Sequence, residues 1–206
     1  MEPLQDKLMA AKNMYSRQGV VGPFIDDLRY LSNFWELENG IVFENMMYRS
    51  VENAFQAAKT LDRNERRAFQ LITPAQAKKA GRSITLRPDW LDVREGIMYA
   101  LLLDKFAKHP ELRRQLLDTG NKPIVEFNYW HDNYWGECLC LACQHKPKIN
   151  KLGFLLRRVR THLSTAVQQM GTSSCRVCGI GVSTKDPSQD ACCPNCGGTD
   201  PIAYAG

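Results

Sequence analysis

The sequence has no run of about 18 apolar residues, the length needed to span a bilayer. Its opening stretch, MEPLQDKLMAAKNMY, is mixed and polar and lacks the apolar core of a signal peptide. No internal repeat of fixed period is present either. These absences exclude a membrane-spanning protein and a secreted one, and they predict a soluble, cytoplasmic protein that does not bind a membrane.

Cysteine is absent before residue 138, and five of the eight cysteines come after residue 174. In a chain with no leader into an oxidising compartment, clustered cysteines indicate metal binding rather than disulfide bonds. The uneven distribution therefore predicts metal sites in the last third of the chain.

The strongest spacing signal is a pair of Cys-x-x-Cys motifs, CRVC and CPNC, each followed by Gly and separated by 14 residues. Each motif supplies two thiolates from a tight turn to a tetrahedral zinc ion. The spacing predicts a structural zinc ribbon over residues 175–206, and a redox pair is the alternative. Residues 164–174 are small and polar and predict a linker. The predicted zinc ligands are Cys175, Cys178, Cys193 and Cys196.

A second cluster, CLCLACQH, contains Cys138, Cys140, Cys143 and His145. It lacks the usual paired knuckles of a zinc site, so the ligand set stays open. The three cysteines are the expected ligands of a possible second metal site. Buried thiols that pack as small apolar groups are the alternative.

Composition bounds the fold and the partners. With 206 residues and 44% hydrophobic content, the chain is long enough for one ordinary domain with a small appendage. The net charge of +5 comes from short basic clusters that acids or apolar positions interrupt. Such a balance permits a phosphate-bearing ligand or a nucleic-acid partner without requiring either. The oligomeric state leaves no trace in the sequence.

The order of predicted elements is extended segments first and helices afterwards. GPFIDDLRYLSNF and GIVFENMMYRS are predicted to be extended, with ELENG as the hairpin connection between them. A helix is expected over residues 50–61 with Ser50 as N-cap, and another from Thr73 to a stop at Gly81. A longer helix follows, capped by Asp89, and Pro110 ends it and opens the next one.

The helix at 50–61 carries two stripes. Glu52, Phe55, Gln56 and Lys59 share one face at the spacing i, i+3, i+4 and i+7. The second stripe is apolar and consists of Val51, Ala54, Ala58 and Leu61. The first stripe is either the wall of a site or a solvated helix edge.

The stretch EFNYWHDNYWGE, residues 126–137, combines five aromatic residues with three acids and a histidine. It is too polar for a core strand and too aromatic for an ordinary loop. It indicates a wall on which a ligand ring stacks, or else an aromatic strand pair on a helical core. Gly136 is expected to allow a sharp turn there.

Together these blocks resemble the NADAR family, the YbiA-like N-glycosidases, over residues 22–163, which leaves residues 1–21 as an N-terminal extension. Many short blocks in order and at similar spacing carry the resemblance: LSNF, SVENAFQAAK, GR at 81–82, Trp90, VREGIMYALLLDKF, LLDTG, VE at 125–126, HDNYWG and NKLGFLLRRVR. Two features depart from it. ECLCLACQHKP stands where many members have a glycine-rich turn, and the zinc ribbon is an addition.

The resemblance implies a predominantly helical α+β domain that cleaves N-glycosidic bonds of ribose derivatives. The implied substrates are ribosylaminopyrimidine intermediates of riboflavin synthesis or ADP-ribose attached to guanine of nucleic acid. The essential glutamate and lysine of the family fall on Glu52 and Lys59. Its tryptophan, aspartate and Trp-Gly pair fall on Trp90, Asp132, Trp135 and Gly136.

These assignments give each residue an expected role. Glu52 stabilises positive charge on the ribose, and Asp132 is a general acid or base. Lys59 attacks C1′ as a neutral amine and forms a Schiff base, with its pKa lowered by Arg63 and by an apolar flank. The other expected binding residues are Asn33, Phe34, Phe55, Gln56, Arg82, Trp90, Trp135 and Gly136. Two rival functions stay open: an ADP-ribose reader without chemistry, and a nucleic-acid-binding protein that acts through its ribbon.

Overall fold

The computed structural model describes residues 3–169, 173–174 and 203–204. Contacts divide the chain into two units, Met1–Val159 and Arg160–Gly206. The four cysteines of the predicted zinc ribbon lie outside the described residues, and the ribbon therefore stays a prediction. Within the described ranges, every helix is too short or too polar to cross a bilayer.

Helix α1 (Leu4–Arg17) begins the first unit and is followed by a 3-10 helix (Asp26–Leu31). The segment predicted to be extended, GPFIDDLRYLSNF, therefore contains a helical turn, and that part of the prediction is wrong. Strands β1 (Glu36–Phe43) and β2 (Met46–Ser50) then form an antiparallel hairpin.

The hairpin turns at Glu44 and Asn45, which have positive φ angles of 45° and 63°. The predicted connection ELENG lies inside β1 instead, so this prediction is wrong. The pairing of β1 with β2 shifts register between Glu36 and Ile41. Gly40 within that interval has φ 62°. The shift in register lets the polar segment ELENG, which has the composition of a turn, remain within the strand.

Helix α2 (Val51–Ala57) follows directly, and the Ser50 hydroxyl accepts a hydrogen bond from the backbone N–H of Asn53, as an N-cap does. The helix ends four residues earlier than expected. Asp62 caps the next short helix, α3 (Arg63–Ala68), and the chain must leave the axis of α2 to reach it. Leu61, assigned to the apolar stripe, is consequently 59% exposed.

The remaining helices of the first unit begin close to the predicted residues. Helix α4 (Pro74–Ala80) has Thr73 in a capping box and stops at Gly81, as expected. Helix α5 (Trp90–Lys108) and helix α6 (Pro110–Asp118) meet at the predicted proline. The Asp89 side chain makes no capping hydrogen bond, because it pairs with Arg87 at 2.6 Å.

Two short parallel strands, β3 (Phe127–Asn128) and β4 (Glu137–Cys138), enclose the aromatic stretch. A 3-10 turn (Leu141–Cys143) and helix α7 (Lys151–Gln169) follow. Residues 164–169, assigned to the linker, thus continue a helix. In the second unit, β5 (Ser173–Ser174) pairs with β6 (Ala203–Tyr204).

The fold is a mixture of helix and strand with more helix, in line with the predicted α+β class. Helix α2 lies at its centre, is buried along its whole length and packs against α4, α5 and the hairpin. Lys105 of α5 is fully buried and donates to the carbonyls of Tyr30 and Ser32 at 2.6 and 2.9 Å. These bonds fix the segment that carries Asn33, whose carbonyl in turn accepts from the N–H of Glu52.

Candidate active site

A cavity of about 630 Å³ opens beside α2. Regions far apart in sequence build its walls. They include segments 23–25 and 32–34, helices α2 and α4 with the residues that follow each, helix α5 and loop 126–135, and one leucine each from α1 and α7. Seven aromatic side chains, three acids and four cations line it. The acids are Glu52, Glu126 and Asp132, and the cations are Lys59, Lys78, Arg82 and Arg94.

The first stripe of α2 forms one wall of this cavity. Glu52 and Gln56 are each only 5% exposed, so the solvated-edge interpretation is wrong. Helix α2 packs against α4, α5 and the hairpin, and Glu52, Phe55 and Gln56 also line the cavity. The stripe therefore presents an acid, an aromatic ring, an amide and an amine to any bound ligand.

Glu52 and Gln56 form a fixed pair. The amide Nε2 of Gln56 donates to Oε1 of Glu52 at 2.8 Å. Burial raises the pKa of Glu52, while the Gln56 hydrogen bond and the charges of Lys78 and Lys59 oppose that rise. A carboxylate in this setting is poorly hydrated and available to positive charge on a substrate.

Lys59 projects from the residues that follow α2. Its Nζ donates to the carbonyl of Gly81 at 3.1 Å and lies 6.0 Å from the centre of the Trp90 ring. Burial lowers the pKa of Lys59; Glu52 opposes the shift, and Lys78 and Arg82 add to it. The direction agrees with the prediction, but Lys78 and Arg82 supply the neighbouring positive charge that the sequence argument had assigned to Arg63.

Aromatic side chains separate the ionic groups of the cavity. The ring centre of Phe55 lies 5.0 Å from that of Trp90 and 5.3 Å from that of Trp135, the second pair at an edge-to-face angle of 85°. Phe34 also lines the cavity, with Lys78 5.4 Å from its ring centre. This arrangement offers flat surfaces for a planar base and limits the entry of water.

Asp132 lines the cavity from loop 126–135, which is far from α2 along the chain. Its Oδ1 accepts hydrogen bonds from the backbone N–H groups of Tyr134 and Trp135, at 3.0 and 2.9 Å. The carboxylate therefore shapes the turn that places the Trp135 ring against Phe55. Asp132 therefore holds the backbone of the loop and also contributes a carboxylate to the cavity.

Gly136 was assigned to substrate binding, and it is absent from the cavity lining. A Cβ at this position would lie 2.2 Å from the carbonyl oxygen of Glu126. The chain bends at residues 134–136, and the glycine is also needed because two backbones approach closely there. The other predicted contact residues, Asn33 and Arg82 among them, do line the cavity.

Glu126 belongs to the site but is not among the residues predicted from the sequence. It lines the cavity, burial raises its pKa to about 8, and its Oε2 is buried without a hydrogen-bond partner. Lys78 opposes the shift and Asp132 adds to it. The VE block of the resemblance contained this residue, but nothing in the local pattern distinguished a buried acid from an exposed one.

Cations were missed as well. Lys78 of α4 and Arg94 of α5 line the cavity near the predicted Arg82. The guanidinium of Arg94 lies over the Tyr134 ring at 4.0 Å, and its buried Nε has no hydrogen-bond partner. A guanidinium held flat in this way presents its N–H groups to an anion such as phosphate.

The second cysteine cluster forms a group separate from the cavity. Cys138, Cys140 and Cys143 lie close together with His131, and their ligand atoms are all within 4.8 Å of one another. His145, which the sequence argument grouped with the cysteines, is exposed and does not belong to this group. The four residues together could bind a metal.

Comparison with known proteins gives the chain a family. A NADAR domain matches residues 23–164. N-glycosidase YbiA of Escherichia coli (strain K12) is 34% identical over 144 residues, which cover 68% of this chain and 84% of that protein. The NMR structure of the E. coli protein YbiA is similar at a TM-score of 0.60 and 33% identity, covering 71% of this chain and 84% of that one.

A more distant relative carries a different name. The chloroplastic riboflavin biosynthesis protein PYRR of Zea mays is 27% identical over 139 residues, which cover 61% of this chain and 21% of that protein. The match to it therefore concerns one part of a much longer chain. Since a NADAR domain spans most of the sequence and a relative is 34% identical over most of both lengths, the chain belongs to the NADAR domain family.

Proposed function

We propose that this protein hydrolyses the C1′–N bond of a phosphate-bearing ribose derivative. It is an enzyme, a hydrolase that acts on N-glycosyl bonds, in keeping with a relative named N-glycosidase. The observation that carries the proposal is the pairing of a buried carboxylate, Glu52, with an amine whose pKa burial lowers, Lys59, in one aromatic-lined cavity.

The two groups suit the two demands of the reaction. Cleavage of the C1′–N bond develops positive charge on the ribose, and the Glu52 carboxylate stabilises that charge. A lysine with a lowered pKa has a larger fraction of neutral amine, which is the nucleophilic form. Gln56 keeps the carboxylate oriented through its 2.8 Å hydrogen bond.

The proposed sequence starts with attack of Lys59 Nζ on C1′. The C1′–N bond breaks, and Glu126, protonated at neutral pH because its pKa is about 8, gives its proton to the leaving nitrogen. Nζ, which carries two protons after the attack, passes one to the Glu126 carboxylate and one to O4′ as the C1′–O4′ bond breaks, and this leaves an imine between C1′ and Nζ. Water then adds to C1′ with Asp132 as base. Both protons of the water pass to Nζ, so the sugar leaves as the open aldehyde and Lys59 returns as a neutral amine.

The cations define the substrate class. Arg82, Arg94 and Lys78 surround the acids and have the chemistry of a phosphate or diphosphate site. The aromatic rings accept a planar base. ADP-ribose attached to guanine of nucleic acid is the first substrate that we propose, and a ribosylaminopyrimidine phosphate, suggested by the relative named for riboflavin biosynthesis, is the second.

A reader of ADP-ribose without catalysis is the rival function. Such a protein would need the rings and the cations of the cavity, but it would have little use for a desolvated amine. The described side chains include both Glu52 and Lys59 at the cavity. We therefore favour the enzyme.

The test is product analysis by mass spectrometry after incubation with an ADP-ribosylated guanine oligonucleotide and, separately, with a ribosylaminopyrimidine phosphate. Glu52→Gln should lose most of the turnover on the true substrate. Glu38→Gln, at an exposed position of β1, is the matched control and should keep it. Binding of either compound with no released base from the wild-type protein would overturn the proposal in favour of the reader.

A further inference from the structure

Three thiols and an imidazole meet beside the active-site loop. Nδ1 of His131 lies 3.2 Å from the sulfur of Cys140 and 3.3 Å from that of Cys143. The sulfurs of Cys138 and Cys140 are 3.3 Å apart. One ring nitrogen therefore faces two sulfurs, and the third sulfur completes a compact group of four possible ligand atoms.

We propose that His131, Cys138, Cys140 and Cys143 bind one zinc ion, and that this ion holds loop 126–135 in the conformation that places Asp132 and Trp135 at the cavity. The site is distinct from the predicted ribbon, and its fourth ligand is His131 rather than His145.

The ligand set and the geometry support zinc. Three thiolates and one imidazole are a common set for structural zinc, and soft thiolates disfavour calcium or magnesium. A tetrahedral zinc with bonds of about 2.0–2.3 Å keeps its ligand atoms about 3.5–3.8 Å apart. Three of the six separations between ligand atoms are 3.2–3.3 Å and all six are within 4.8 Å, so shifts of about an ångström or less bring the group to that arrangement.

Burial points in the same direction. Cys138 and Cys143 are both 0% exposed, whereas Cys140 is half-buried and His131 is exposed. The group thus has a closed inner side and an outer side from which an ion can enter. Four protein ligands leave no open position for a substrate, so the role is structural rather than catalytic.

Secondary structure contributes little to holding this loop, because β3 within it and β4 after it have two residues each. Hydrogen bonds also hold it: Asn128 Nδ2 donates to the carbonyl of Asp132 at 2.7 Å, and two backbone N–H groups donate to Asp132 Oδ1. His131 occupies the left-handed region at φ 67°, an uncommon conformation for a residue with a side chain, and it directly precedes Asp132. A metal bond to its ring would hold that conformation and would tie residue 131 to the chain after β4. Asp132 directly follows this residue, so a metal bond at His131 would constrain it in addition to its own hydrogen bonds to Asn128, Tyr134 and Trp135.

The test is metal content by mass spectrometry on the full chain, after challenge with a chelator of moderate affinity. Cys140→Ser removes the most accessible thiol and should lower the zinc content by about one equivalent per chain. His145→Ala is the matched control and should lower nothing. The zinc of the tail, if present, is the same in all variants, so only the difference between them counts.

A second pair of variants separates ligation from folding. His131→Asn keeps a residue that tolerates the left-handed region but removes the ligand, and it should release zinc more readily than the wild type. His131→Cys restores a ligand and should retain zinc, and its cobalt-substituted form should show stronger thiolate-to-cobalt absorption. Equal zinc content in wild type and Cys140→Ser, or a Cys138–Cys140 disulfide in the purified protein, would overturn the proposal.

The effect on the loop is measured through turnover, and this part rests on the proposed function. His131→Asn should lower kcat and His131→Cys should recover it, in step with their zinc contents. Normal kcat in the zinc-free variants would show that the ion does not position the loop. Because zinc content is measured without substrate, failure of the proposed reaction and failure of the zinc site are distinguishable.

Discussion

The Gln56 amide donates to Glu52 Oε1 at 2.8 Å in a setting where both side chains are 5% exposed. The two residues are one helical turn apart, and both belong to α2. The hydrogen bond opposes the effect of burial on the Glu52 carboxyl, because a donor to the charged form favours ionisation. The charge that the reaction needs thus depends on the residue one turn along the same helix.

Gln56→Met should therefore make the enzyme more sensitive to acid. A hydrogen bond to a charged group favours its ionised form, so loss of the Gln56 donor should raise the pKa of Glu52 further. Turnover should fall more at pH 6 than at pH 8, as measured by the pH profile of kcat/KM. If the acid limb of the profile lies at the same pH in Gln56→Met and in the wild type, then Gln56 does not affect the ionisation of Glu52.

Lys59 should be trapped on the substrate during turnover. Borohydride added to the reacting mixture reduces an imine to a stable amine, so peptide mapping should find a sugar adduct on Lys59. Lys59→Arg keeps the charge but cannot act as the nucleophile, and it should lose both the adduct and most of the activity. Lys79→Arg, at an exposed position of the same α4 that carries Lys78, is the control.

Near-normal turnover by Lys59→Arg would contradict the covalent route. Water would then attack C1′ directly, with Glu52 or Asp132 as its base. The fold should survive the substitution, and circular dichroism checks this independently of activity.

Glu126→Gln should remove the alkaline limb of the pH profile. The proton of Glu126 is present below its pKa of about 8 and is lost above it, so wild-type turnover should fall as pH rises through that value. General-acid catalysis contributes about 100-fold or more, and kcat at pH 7 should drop by that amount in the variant. Lys78 and Asp132 face this group and are left unchanged.

Stability gives a second readout for Glu126. Its folded-state pKa lies above the ordinary value of 4.5, so folding takes up a proton between the two values. The free energy of unfolding should decrease as pH rises from about 4.5 to 8, and this decrease should be smaller in Glu126→Gln. The free energy of unfolding is measured by urea titration at several pH values. If it depends on pH equally in the wild type and in Glu126→Gln, then Glu126 does not titrate in this range.

Gly81→Ala should damage the site through Gln56. A Cβ at Gly81 would lie 1.9 Å from Gln56 Oε1, and the buried amide has little room to move. Such overpacking destabilises by about 1–3 kcal/mol and should also displace the donor to Glu52. Gly96→Ala is the matched control, since a Cβ there meets nothing within 4 Å, and it should stabilise helix α5 by about 1 kcal/mol. Thermal unfolding and kcat measure both effects.

Salt dependence should reveal whether the substrate is a polymer. Phosphate contacts along a nucleic acid release counterions, so turnover on an oligonucleotide should fall with salt more steeply than turnover on a mononucleotide. Equal slopes would favour a free metabolite. The comparison uses the same enzyme and the same bond, so only the additional phosphates differ.

Several local features follow from the sequence because they depend on neighbours a few residues apart. The N-cap at Ser50, the capping box at Thr73, the stop at Gly81 and the break at Pro110 all appear where the pattern predicts them. Glu52, Phe55 and Gln56 lie in α2 and line the cavity together, as helical spacing predicts, whereas Lys59 lines it from the residues after the helix. The resemblance located the same stripe independently.

The remaining features depend on residues that only the tertiary structure brings together. No local signal shows that the Glu126 carboxyl is desolvated, that Lys78 and Arg82 rather than Arg63 are near Lys59, or that His131 joins three cysteines. The resemblance implies Gly136 as a binding residue through the Trp-Gly pair, whereas the close carbonyl of Glu126 explains the need for a glycine there. The sequence by itself predicted many of the groups that line the cavity, and the packing of distant segments decided their protonation and their partners, because desolvation and charge act through space and not along the chain.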